Sequence, residues 1–77
     1  MNGKRIDAII AVVIADRGFG FCRPHYSEND SVFLHVNDFR EHQSMFPRAG
    51  TRISYVEGRD RNGKLHAKDI VILGTPT

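Results

Sequence analysis

Apolar residues in this chain fall into short runs separated by polar and glycine-containing segments, and no run keeps a helical period. Ala8 to Ala15 (AIIAVVIA) is unbroken apolar sequence ended by Asp16-Arg17-Gly18. It is short for a helix and rich in Ile and Val, which predicts a strand over residues 8–14 buried on much of both faces. In Arg17-Gly-Phe-Gly-Phe-Cys-Arg23 the period changes to two. Arg17, Phe19, Phe21 and Arg23 then share one face of a second strand, with Gly18, Gly20 and Cys22 on the other. Pro24 and His25 to Ser31 (HYSENDS) read as a loop. Val32-Phe-Leu-His-Val36 follows as a third strand, with Val32, Leu34 and Val36 opposite Phe33 and His35. Thr51 to Glu57 is a fourth strand with Ile53 and Tyr55 on one face, and Leu65 to Leu73 a fifth. Asn62-Gly63 between them is a strong turn signal.

The stretch from Asn37 to Gly50 (NDFREHQSMFPRAG) has no sustained period. It predicts a short helical turn near Asp38 to His42 and then loop, with Phe39 and either Met45 or Phe46 plugging one end of the core. The tail Gly74 to Thr77 is expected to be disordered. Five short strands without a long helix predict an all-β chain: a single domain over residues 1–77, a small five-stranded antiparallel β-barrel, closed or partly open, with an ordered core over about residues 4–73.

A domain of 77 residues buries only about 60% of the surface of its unfolded chain. Cys22 is the single cysteine, so no internal disulfide supplements that core, and no four-ligand zinc spacing is present. The longest apolar run is far short of the roughly 20 residues that cross a bilayer, and MNGKRID does not read as a secretory leader. These features predict a soluble, cytoplasmic protein without a membrane partner. Lys and Arg number 11 against 9 acidic residues, a net charge of +2 that permits a polyanionic partner without requiring one. Cys22-x-x-His25 has ligand spacing but no second pair, and Cys22 is expected to point inward. Nothing in the sequence brings two of the four histidines (25, 35, 42, 66) together for acid–base chemistry. We therefore expect no metal, no cofactor and no enzymatic activity.

The alternation of phenylalanine with glycine is the informative feature. Glycine inside a strand marks a bend or a close approach, and small inward residues suit a tightly curved barrel. The phenylalanines then face outward, where an apolar patch usually serves a ligand. Bases of a single strand fit such a patch, each ring-on-base stack being worth about 1–3 kcal/mol. Arg17 and Arg23 on the same face would contact phosphate or stack by cation–π. The plainer alternative is that Phe19, Phe21 and Phe33 are ordinary core residues and the glycines mark turns or bulges.

Arg17-Gly-Phe-Gly-Phe-Cys22 resembles the first ribonucleoprotein motif of cold-shock domains (Lys-Gly-Phe/Tyr-Gly-Phe-Ile), and Val32-Phe-Leu-His-Val36 resembles the second (Val-Phe-Val-His-Phe). Asp16, Gly50 and the segment Gly63 to Ile70 (GKLHAKDI) extend the likeness over most of the chain. The resemblance implies an oligonucleotide/oligosaccharide-binding (OB) barrel of the cold-shock type that binds single-stranded RNA or DNA and acts on RNA structure, transcription or translation. Phe19, Phe21, Phe33 and His35 match the family's stacking residues, and Arg17 stands in place of its phosphate-facing lysine. Ala11-Val12-Val13 stands where the family carries Lys-Trp-Phe, and Val36 where it carries an aromatic. Those losses predict affinity lower by about two orders of magnitude, unless Tyr26 and Phe46 restore stacking surface. The competing expectation is that the same surface serves a protein partner or a homodimer.

Overall fold

The computed structural model describes residues 4–76. Five strands, β1 (Arg5–Ile14), β2 (Phe19–Pro24), β3 (Val32–His35), β4 (Arg52–Arg59) and β5 (Leu65–Gly74), close into a barrel in the order β1-β2-β3-β5-β4. The all-β barrel expected from the sequence is the fold, and it is OB-like. All neighbours are antiparallel except β3 and β5, which meet in parallel at Phe33 and His66. An odd number of strands cannot close with every pair antiparallel, so one parallel seam is required. Two 3-10 turns, Ala15–Arg17 and Val36–Asp38, complete the regular structure. Among the described residues no helix is long and apolar enough to cross a membrane.

β1 begins earlier than its apolar run and is not buried on both faces. Ile6, Ala8 and Ile10 point into the core while Arg5, Asp7 and Ile9 face out. The register steps from Ile10↔Cys22 to Val12↔Phe21, leaving Ala11 as the extra residue of a bulge. Beyond it Val13 packs on the core and Val12 is 46% exposed. β2 starts at Phe19, not Arg17. Arg17 belongs to the 3-10 turn, and Gly18 closes that turn at φ 74 with its N–H donating to the Ala15 carbonyl. Gly18 is thus a left-handed cap, not an inward strand residue. Gly20 is the inward one: a methyl group there would run into the carbonyl oxygen of Val12.

β3 ends at His35, one residue short of the expected strand, because Val36 opens the second 3-10 turn. His35 caps that turn, its Nδ1 accepting from the Asn37 N–H at 3.1 Å. The turn therefore precedes the expected helical turn at residues 38–42. Phe39 is buried and bridges to Ile70, and Phe46 packs edge-on against it at 5.8 Å, so Phe46 rather than the exposed Met45 supports the plug. Asp60 Oδ1 accepts from the N–H groups of Asn62 and Lys64, and Gly63 takes φ 84, which forms the predicted β4–β5 turn. After β5, Arg48 donates to the Pro76 carbonyl at 3.3 Å, so the tail up to Pro76 is held. Thr77, also in the segment expected to be disordered, lies outside the described residues, as do residues 1–3.

The core holds Ile10, Val32, Leu34, Ile53, Ile70 and Tyr55 in full burial. Cys22 is buried with them, and burial pushes its thiol pKa up to about 12. The Tyr55 hydroxyl finds no hydrogen-bond partner among the described residues.

Candidate nucleic-acid interface

Strand register turns separate outward side chains into two rows that run across the sheet. One is Val12 (β1), Phe21 (β2), Phe33 (β3) and His66 (β5); the other is Ile14, Phe19 and His35. The three phenylalanines touch one another. Phe19 and Phe33 lie 5.5 Å apart at 35°, Phe21 and Phe33 5.9 Å apart at 72°, and Phe19 and Phe21 6.2 Å apart at 88°. These separations fall in the favourable range for aromatic pairs, so the rings hold one another in place. All three are half-buried and none belongs to the buried core cluster. The all-core alternative is therefore wrong. So is full outward exposure, because each ring covers part of its neighbours.

The expected polar residues are placed differently. His35 pairs with Phe19 across β2 and β3, and its Nδ1 is occupied by the turn it caps. Arg17 is exposed on the 3-10 turn leading into Phe19 and forms no hydrogen bond or ion pair with another described residue. Arg23 keeps the outward parity of Phe21 but stands past the last β2–β3 pair, Cys22↔Val32, opposite Ile9 of β1. Its guanidinium donates to the Glu28 carbonyl at 2.6 Å. The structure thus groups Phe19, Phe21, Phe33 and His35 and sets Arg23 to one side.

His66 is the ring that sequence reading missed. It lies 5.0 Å from Phe33 at 87°, and its Nε2 is 2.6 Å from Asp38 Oδ2. Lys68 Nζ sits 3.8 Å from the other oxygen of that carboxylate. The parity of β5, with Ala67 inward, was a signal that His66 faces away from the core. Only the β3–β5 seam says which rings it meets.

Beside Phe21 and Phe33 an open groove of about 580 Å³ runs between the β2–β3 loop and the β4–β5 hairpin, lined also by Asp30, Ser31, Asp60, Lys64 and Leu65. The backbone N–H groups of Lys64 and Asn62 hold the Asp60 carboxyl below its ordinary pKa, so it is an anion at neutral pH. Arg59 donates to the Gly63 carbonyl at 2.7 Å and belongs to the hairpin tip. Tyr26 and Phe46 do not extend the platform. Tyr26 stacks edge-on with His25 and donates to Glu57 Oε2 at 3.3 Å, while Phe46 serves the barrel end.

Cys22 lies in the core and His25 is exposed, so that pair does not converge. Among the described residues no group of three or more His, Cys, Asp or Glu is arranged to hold a metal ion. The chain matches no protein-family model and no curated protein. Its small β-barrel with a surface aromatic cluster is compatible with nucleic-acid binding.

Proposed function

We propose that this chain binds single-stranded RNA or DNA as a cold-shock-like, non-catalytic OB barrel. Bases stack on Phe19, Phe21, Phe33 and His35, while Arg17, with Arg23 farther off, neutralises phosphate. The observation that carries this reading is the cluster of three mutually packed phenylalanines on the outer face of β2 and β3. Preordered flat apolar rings offer stacking surface to any base with little ordering cost. Occupying single strands is the means by which such a domain keeps RNA open or tunes transcription and translation. An amide-shift titration with a short mixed-sequence strand, as RNA and as DNA, tests it. Shifts concentrated at residues 17–23 and 32–36 and weakened by salt support the reading, and no shift at millimolar strand removes it.

A second reading has its own observation. Ile9, Pro24 and Leu73 line a separate groove of about 450 Å³ flanked by Arg23 and Arg52. Ile9 and Leu73 are each nearly half exposed. That surface favours a protein contact, either with a partner or in a homodimer. Sedimentation of the free chain over a concentration series tests the homodimer.

A further inference from the structure

His66 offers the aromatic surface a polar atom that the stacking reading does not use. Its Nε2 faces Asp38 Oδ2 at 2.6 Å. An ionised carboxylate only accepts, so the proton of the neutral imidazole sits on Nε2, and Nδ1 is left as an acceptor. Nδ1 has no hydrogen-bond partner among the described residues, and it is not one of their buried unpaired atoms, so it opens to solvent. The imidazole stands at 87° to Phe33 with 5.0 Å between ring centres. A base lying flat on Phe33 is therefore nearly perpendicular to the imidazole and does not stack on it, which leaves His66 a polar contact with that base. An acceptor there favours an exocyclic amino group and disfavours a carbonyl oxygen.

We propose that His66, oriented by Asp38, reads the edge of the base stacked on Phe33 and selects bases that carry an exocyclic amino group. Among pyrimidines it prefers cytosine to uracil. The inference rests on the stacking reading of Phe33. Asp30 and Asp60, which line the groove that Phe33 shares, are the competing acceptors, and the test separates them from His66.

Fluorescence anisotropy of the full chain with labelled oligocytidylate and oligouridylate heptamers is the experiment, run at mildly alkaline pH. Cytosine and uracil match in ring size and differ at the 4-position and at N3, which bears a hydrogen only in uracil, so stacking is nearly equal and the change is confined to the hydrogen-bonding edge. The expected result is tighter binding of oligocytidylate by about two- to tenfold, the worth of one hydrogen bond. His66→Phe keeps a ring beside Phe33 and removes the acceptor; it should bind both oligomers with the oligouridylate affinity of the parent. Where that variant fails to fold, the imidazole nitrogen shifts of the parent chain replace it. Nδ1 of His66 should move with oligocytidylate and stay with oligouridylate.

Equal binding of the two oligomers by the parent chain overturns the proposal and leaves the stacking platform intact. A preference that survives His66→Phe also overturns it and points to Asp30 or Asp60. Binding of neither oligomer removes the proposal and the stacking reading together.

Discussion

Arg5 and Asp69 are 64 positions apart in the chain, yet the Arg5 guanidinium donates to both the Oδ2 and the main-chain carbonyl of Asp69, each at 2.7 Å. Arg40 donates to the two oxygens of the same carboxylate at 2.9 and 2.7 Å. Asp69 thereby ties β1 and the segment after Phe39 to β5. It is also the one non-glycine residue of positive φ (48°) among those described, and it lies where β5 slips register against β4. Asp and Asn adopt that backbone readily, whereas other L-residues lose about 1–2 kcal/mol there.

Two substitutions separate the charge of Asp69 from its conformation. Asp69→Asn keeps the left-handed backbone and removes the anion; Asp69→Ala loses both. Urea titration should find the alanine variant less stable than the asparagine variant by about 1–2 kcal/mol. The pH dependence follows from the arginines, Arg40 first and Arg5 next, whose hydrogen bonds hold the Asp69 carboxyl well below the usual carboxylate range. Because the folded value is the lower one, the unfolded chain takes up the proton first on acidification. The stabilisation is therefore complete above the ordinary carboxylate pKa of about 3.9 and is lost as pH falls toward the folded value. Thermal midpoints of the parent and Asp69→Asn should converge below about pH 4. A gap that stays constant would assign the whole effect to something other than charge.

Gly20 tests the reason for the glycine between the phenylalanines. The atom in the way of a side chain is the Val12 carbonyl oxygen, part of the β1 backbone, which cannot rotate aside. Gly20→Ala should cost about 1–3 kcal/mol, the usual range for overpacking, with β1 moving away from β2. Unchanged stability in a urea titration would mean that the strands separate there without strain.

How far the fold was legible depended on where polarity or turn chemistry marked it. The β4–β5 hairpin was readable because Asn62-Gly63 names its own turn, and the outward parity of Phe19, Phe21, Phe33 and His35 was readable because small or aliphatic residues alternate with them. The faces of β1 were not. Ile9 and Val12 are apolar yet substantially exposed, so no polar residue flagged the solvent side and nothing flagged the bulge at Ala11. Arg17 was assigned to a strand because Gly18 continues the alternation, although its positive φ ends a turn there. His66 joined the rings unannounced because β3 and β5 meet through a parallel seam between strands distant in sequence, which local periodicity does not encode.

Phe33 occupies the middle of the ring cluster, touching Phe19, Phe21 and His66. Phe33→Ala should weaken single-strand binding by about five- to 150-fold, the loss of one stack. Phe46→Ala is the matched control, since that ring packs on Phe39 at the barrel end. It should lower the thermal midpoint and leave affinity unchanged at temperatures where the chain is folded. Equal affinity losses in the two variants would trace the Phe33 effect to stability.

Arg17 presents a cation with no partner among the described residues at the entrance to β2, whereas the Arg23 guanidinium is engaged by the Glu28 carbonyl. A residue that neutralises one phosphate of a single strand contributes about 0.7 to the slope of log affinity against log salt. Arg17→Gln should reduce the slope by about that amount, and Arg23→Gln by less. Equal slopes in the parent and in Arg17→Gln would leave the cationic part of the proposed site without its principal member.

Both rows of the platform start from an aliphatic residue on β1. Val12 adjoins Phe21 and Ile14 adjoins Phe19 in register, so the rings stop at β2 on that side while the sheet continues. Val12 is nearly half exposed, and a larger side chain there projects outward without displacing core. Val12→Trp should therefore leave the thermal midpoint close to that of the parent while adding stacking surface beside Phe21. If a strand follows the row across the sheet, one added stack raises affinity at least fivefold, about 1 kcal/mol or more. The same change at Ile9, equally exposed but opposite Arg23 and off both ring rows, should not. A gain from Ile9→Trp as large as that from Val12→Trp would mean that the strand does not track the rows, and that any added exposed ring raises affinity irrespective of place.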